Sequence, residues 1–111
     1  MAARIELNIS PTSAPGRIAP RFAEITNEVL FGDIWERQGL SKRDRSLMVV
    51  STLIALNRTE QLGFHLQLAL QNGLTRDELA EVITHMAFYS GWPTAISAIA
   101  ALDKVLAAEA K

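Results

Sequence analysis

Two histidines occur in the 111 residues, and His65 is the one whose neighbours point to chemistry. An unperturbed imidazole titrates near pH 6.5, so it can give or take a proton under neutral conditions. Arg58, Gln61 and His65 are spaced i, i+3, i+7, which on a helix makes one polar stripe able to line a pocket. Glu60 precedes His65 by five residues, about 140° round a helix, so its carboxylate does not stack beneath the imidazole. An acid in a first helical turn also complements the positive dipole end without further purpose. Arg45 stands directly before an apolar run, where its planar guanidinium can grip a carboxylate through two parallel hydrogen bonds. Arg43 and Asp44 beside it read as solvated surface. His85 and Tyr89, four residues apart, read as the edge of a core, and Trp35 and Trp92 as packing residues.

Composition removes whole classes of activity. With no cysteine, disulfides, thiolate metal sites, thiol nucleophiles and CxxC redox couples are all absent. The two histidines are far apart and show neither HxxxH nor HExxH spacing, so no bound metal is expected. Eleven Lys and Arg against twelve Asp and Glu leave a formal charge of -1, too little to draw the chain to nucleic acid or an anionic membrane. The apolar stretch Leu47 to Leu56 is broken by Ser51 and Thr52 and falls short of the roughly 20 residues of a membrane span. MAARIELNIS lacks the apolar core of a secretion signal. The reading is a cytoplasmic protein, with the Asn8 and Asn57 glycosylation sequons as chance matches. At 49% hydrophobic and 21% charged, this length is one ordinary globular domain.

The elements that must position His65 follow from punctuation and period. Pro11, Pro15, Gly16 and Pro20 mark residues 1–19 as an N-terminal arm. Within it Ile5, Leu7 and Ile9 alternate as a short strand would, and such a strand needs an outside surface. From Pro20 the period turns helical: Phe22, Ile25, Val29 and Leu30 share a face and Gly32 ends the helix. Ser41 offers an N-cap for a second helix through Leu56, apolar nearly all round and expected to be the buried central one. Leu62, Leu66, Ala69 and Leu70 define a third, stopped by Asn72-Gly73. Thr75 to Glu78 is a full capping box for a fourth, with Leu79, Val82, Ile83 and Met86 inward. Pro93 opens the last, on which Ile96, Ile99, Leu102 and Leu106 form one face and Ala95, Ala98, Ala100 and Ala101 permit close contact. The expected fold is all-α, a bundle of about five helices spanning residues 20–111. Helices so apolar or so small-surfaced exceed what three others can cover, which predicts an oligomer.

Several stretches are familiar as words: GDIW at Gly32 to Trp35, Arg-Ser-Leu at Arg45 to Leu47, Asn-Arg-x-Glu at Asn57 to Glu60 with the following His65, and AFYSGWP at Ala87 to Pro93. Together they resemble the carboxymuconolactone decarboxylase family over roughly residues 22 to 105. The resemblance implies the all-α fold shared with alkylhydroperoxidase D-like proteins, in homo-oligomers that are commonly trimers or hexamers. The peroxidase branch carries CxxC, then His four residues on, and a Glu on the preceding helix. Aligning its His with His65 puts Arg58 and Gln61 at the cysteine positions and Ser46 at the Glu, so thiol peroxidase activity is not expected.

The decarboxylase branch implies loss of CO2 from 4-carboxymuconolactone on the route from protocatechuate to β-ketoadipate, with no cofactor. In that setting His65 is the expected proton donor and Glu60 the group that orients or recharges it. Arg45, Arg58 and Ser46 would bind the carboxylated small-molecule substrate, with Trp35, Tyr89 and Trp92 as pocket walls. Typical decarboxylases carry a second acid where this chain has Gln61, and a longer N-terminal segment. A noncatalytic oligomeric binding protein of the same fold is the alternative from another class.

Overall fold

The computed structural model describes residues 5–110; residues 1–4 of the expected arm, and Lys111, lie outside them. Helix is the regular structure of the described residues, and no strand occurs among them. The chain is all-α. Six α-helices follow in order: α1 (Ala14–Ile18), α2 (Pro20–Ile25), α3 (Lys42–Ala55), α4 (Thr59–Gln71), α5 (Arg76–Ser90) and α6 (Trp92–Glu109). The described residues form two units, residues 6–42 and residues 43–110 with Ile5.

In the first unit, α1 is a helix beyond the expected five, inside the stretch read as an arm. Its local chemistry explains it: Ser13 caps it by accepting from the Gly16 N–H, and Pro15 occupies its first turn. Gly16 is required there, because a Cβ would collide with the Ser10 carbonyl. Helix α2 continues through a π-helical turn (Thr26–Phe31), and a 3-10 turn follows (Ile34–Glu36). Residues 5–9 pair as no strand; instead the Asn27 side chain accepts from the Ile9 N–H at 2.6 Å and donates to its carbonyl at 3.0 Å. The face shared by Phe22, Ile25, Val29 and Leu30 is exposed in the single chain, with Phe22 58% and Val29 47% accessible.

The second unit holds the hydrophobic cluster. Val50 and Ile54 of α3, Leu62, Leu66 and Ala69 of α4, Leu79 and Ile83 of α5, and Ala98 and Leu102 of α6 meet in it. Connections of one to four residues join these helices, and α6 packs against both α4 and α5. The stops are local and match the sequence reading. Gly73 and Gly91 take φ of 109° and 103°, a region where a side chain is strained. Thr75 and Glu78 exchange both capping-box hydrogen bonds, at 3.1 and 3.0 Å.

One expectation is corrected. Helix α3 is not the buried central element: only Ser46, Val50 and Ile54 of it are buried, while Met48 is 51% exposed and Leu56, just past its end, 61%. On α6 the buried face is Ala95, Ala98, Leu102 and Val105, whereas Ile96 and Ile99 are exposed. Small side chains let α6 approach α4 and α5 closely, so the alanines, rather than the larger isoleucines, face the core.

Candidate functional site

Helix α4 carries the candidate chemistry, and its three faces lead to different surroundings. Leu62, Leu66 and Ala69 are buried in the core. Glu60, Gly63, Phe64 and Gln67, at i, i+3, i+4, i+7, line a groove of about 680 Å3 whose other wall is α6. Gln61, His65 and Asn72 continue the polar stripe that begins at Arg58, which stands at the N-cap position just outside the helix.

The Asn72 end of this stripe touches α3, where its Nδ2 donates to the buried Ser46 hydroxyl at 3.0 Å. Ser46 is thereby fixed at the C-terminal end of α4. Glu60 lies twelve residues back along that helix, about 18 Å away at 1.5 Å per residue. The structure therefore does not bring Ser46 to Glu60.

His65 is half-buried with its ring edge-on to Phe64, centroids 5.0 Å apart. Its Nδ1 is shielded from solvent and engages no hydrogen-bond partner, although buried polar atoms are ordinarily satisfied. Burial pushes its pKa below the usual histidine value of 6.5, because the cationic ring loses hydration. The imidazole of the free protein is thus neutral at pH 7, the resting state of a base; to act as a donor it must first gain a proton.

Glu60 is exposed on the groove face, a quarter to a half turn away from the His65 face, so the two do not form a hydrogen-bonded dyad along α4. Arg58, Glu60 and Gln61 do meet, in a shallow polar recess of about 170 Å3 at the start of α4. Arg45 lies one residue before Ser46 in the first turns of α3, half-buried with its Nε out of solvent.

The aromatic candidates separate. Trp35 is 5% exposed and packs within its own unit on Phe31, ring centroids 6.2 Å apart. Tyr89 and Trp92 are surface residues, 76% and 60% exposed; Tyr89 leans on His85 and Trp92 on Phe88. Across α3 and α5 a second groove, of about 430 Å3, runs between Arg43, Leu47, Val82, His85 and Met86. Arg43, read as solvated, is ion-paired there with Glu78. The Thr75 backbone N–H bond first, and then this guanidinium, hold the Glu78 carboxyl below its ordinary range against the opposing effect of desolvation.

Lys104 is the residue that the sequence reading did not single out. It lines the Glu60 groove from α6, and the spacing Ser97, Ala101, Lys104, Ala108 was the signal available for that face. Among the described residues no group of three or more acidic or histidine side chains converges to hold a metal, and no helix is long and apolar enough to cross a membrane.

Comparison with known proteins agrees with this helical unit. The carboxymuconolactone decarboxylase family profile matches residues 20–104. The chain is 36% identical over 84 residues to 4-carboxymuconolactone decarboxylase of Acinetobacter baylyi, covering 76% of this chain and 63% of that protein. It is 32% identical over 99 residues to nitrosuccinic acid decarboxylase of Metarhizium robertsii, covering 89% of this chain and 65% of that one. The chain thus spans a little under two thirds of the length of these relatives. With the profile covering most of its length, this chain belongs to the carboxymuconolactone decarboxylase family.

Proposed function

We propose that this protein is a decarboxylase of small carboxylates in which the scissile carboxylate sits beside an electron-withdrawing group. 4-Carboxymuconolactone, in protocatechuate breakdown in the cytoplasm, is the leading substrate. The two relatives are named for substrates that share this feature: an unsaturated lactone in one, a nitro group in the other. In either, loss of CO2 leaves its electron pair delocalised onto oxygen, so the substrate is its own electron sink and no cofactor is required. The net change is R–CO2− + H+ giving R–H + CO2. The protein must hold the anion, stabilise charge developing on oxygen and deliver one proton.

The observation that carries this reading is the shielded, unpartnered Nδ1 of His65 on the polar stripe of α4. A bound carboxylate raises the proton affinity of a neighbouring imidazole, converting the neutral ring into the donor that the carbanion needs. Arg58 on the same stripe and Arg45 on α3 supply cations for the substrate's anionic groups. Glu60 neutralises the Arg58 end of the stripe rather than orienting the imidazole. The protein acts as a trimer or hexamer. Supporting this, the large aromatic side chains of Phe88, Tyr89 and Trp92 are each 60–76% exposed in the single chain.

The test is lactone disappearance with CO2 release by the purified protein and its His65→Ala variant, with nitrosuccinic acid as second substrate. A fall of about 10²-fold or more in the variant is expected for loss of a general acid. Unchanged turnover in the variant would remove His65 from the mechanism, and no turnover of either substrate by the native protein would remove the decarboxylase reading.

A further inference from the structure

The groove across α3 and α5 carries polar groups that the fold leaves unused. Its α3 wall is a single stripe, Arg43, Leu47 and Ser51, at i, i+4, i+8. Its α5 wall sets Glu78, Glu81 and His85 beside Val82 and Met86. At one end Arg43 and Glu78 are engaged with each other, and Glu78 also accepts from the Thr75 N–H in the α5 capping box. The other three polar groups have no such role. Glu81 forms no ion pair, and the side chains of Glu81, His85 and Ser51 make no hydrogen bond among the described residues. Helical hydroxyls such as Thr52 and Thr84 bond back to the carbonyl four residues before, both at 2.8 Å. Ser51 does not, so its hydroxyl is left to the groove.

Charge decides what this groove attracts. The guanidinium of Arg43 faces the carboxylates of Glu78 and Glu81 and is already paired with the first, so the free charge is that of Glu81. Glu81 and His85 stand four residues apart on one face of α5. Carboxylate, neutral imidazole and hydroxyl can all accept hydrogen bonds, whereas a primary ammonium offers three donors and no acceptor. Leu47, Val82 and Met86 supply an apolar surface for the rest of such a molecule, and a methionine sulfur favours contact with an aromatic ring. An anion would meet Glu81 and would have to displace Glu78 from both Arg43 and the capping box.

We infer that the α3/α5 groove is a binding site for a primary amine with an aromatic body. The ammonium sits at Glu81 beside His85 and Ser51, and the ring lies over Leu47, Val82 and Met86. The groove volume of about 430 Å3 falls within the range of small-molecule sites. Arg43 to Ser51 spans about 12 Å of α3 at 1.5 Å per residue, room for one ring and a short chain. The site shares no residue with the Arg58, Gln61, His65 stripe.

The probe is 2-phenylethylamine, titrated into the full chain at about pH 8, above the ordinary histidine range and below that of an alkylamine. Calorimetry reads affinity, and methyl NMR of Met86 and Leu47 reads the place of binding. Saturable binding with a Kd of about 1 mM is expected for so small a ligand, with both methyl groups shifting. Glu81 is exposed, so Glu81→Gln should fold as the native chain does and weaken binding about tenfold through loss of the charged acceptor. Phenylacetate, with the ring but the opposite charge, and methylamine, with the charge but no ring, should each bind about tenfold more weakly or worse. His65→Gln should bind the amine as the native chain does. No saturable binding, native affinity in Glu81→Gln, phenylacetate or methylamine binding as tightly as the probe, or loss of binding in His65→Gln would each overturn the inference.

Discussion

A neutral His65 that becomes a proton donor only beside bound substrate predicts a separation between two pH profiles. In the free protein burial holds its pKa below 6.5, so the protonated fraction falls tenfold per pH unit above that lowered value, and kcat/KM should fall with it. In the complex a substrate carboxylate stands near the ring. A unit charge at 4 Å interacts by ~1 kcal/mol in water and ~4 kcal/mol at an effective dielectric constant of 20. At 1.36 kcal/mol per pKa unit, that raises His65 by roughly 0.7 to 3 units, with a half-buried ring between the limits. The descending limb of kcat should therefore lie about 1–3 pH units above that of kcat/KM. Burial alone lowers the His65 pKa in the free protein, so replacing Arg58 with Gln should raise KM while leaving the kcat/KM limb in place. The assay is initial-rate CO2 release from pH 4 to 9 at varied substrate, a range of about five units chosen to bracket the ordinary histidine value. Coincident limbs, or the same two limbs in a His65→Gln variant, would refute the reasoning.

The same burial has a consequence for stability. A histidine whose folded pKa is depressed leaves the folded state with fewer bound protons than the unfolded one, so its penalty is absent above pH 6.5 and grows as pH falls from there to the folded pKa. Urea midpoints should decline over that window in the native protein, and less in His65→Gln. At Ser46, the hydrogen bond from Asn72 predicts a structural part: Asn72→Ala should lower unfolding stability by about 1 kcal/mol while leaving KM unchanged. A raised KM at native stability would instead place this pair in substrate binding.

What was legible in the sequence was mostly local. The Thr75 and Glu78 capping box and the Gly73 and Gly91 stops were readable because their geometry is decided within four residues of chain. The missed helix α1 was readable in principle, since Ser13 and Pro15 are start signals, but Pro11, Gly16 and Pro20 crowd them and read as an irregular arm. Long-range packing was less accessible. Period grouped Ile96, Ile99, Leu102 and Leu106 on one face of α6 without saying which way it points, and close approach put Ala95 and Ala98 inward. The apolar breadth of α3 was read as centrality, yet Met48 on it and Leu56 just past its end are surface in a single chain. At the candidate site, the Arg58, Gln61, His65 stripe follows from spacing alone. The isolation of the His65 Nδ1 and the place of Lys104 opposite α4 depend on how helices meet, which periodicity on one helix does not encode.

The faces of α4 also restrict how the acid–base pair can work. Glu60 and His65 are close in sequence, but five residues turn the helix through about 140°, and the side chains between them, Gln61 through Phe64, belong alternately to the stripe, the core and the groove. Proton return to His65 by Glu60 would have to cross the helix or pass through solvent at its start. A cycle in which each incoming anion draws a proton from solvent onto the buried imidazole needs no such relay. It requires only that substrate binding and proton uptake be coupled. Glu60 is then free to serve charge balance at the groove and at Arg58, so Glu60→Gln should lower turnover far less than His65→Gln, with the kcat limb unmoved. Equal losses in the two variants would mean that a group outside this chain closes the gap between them.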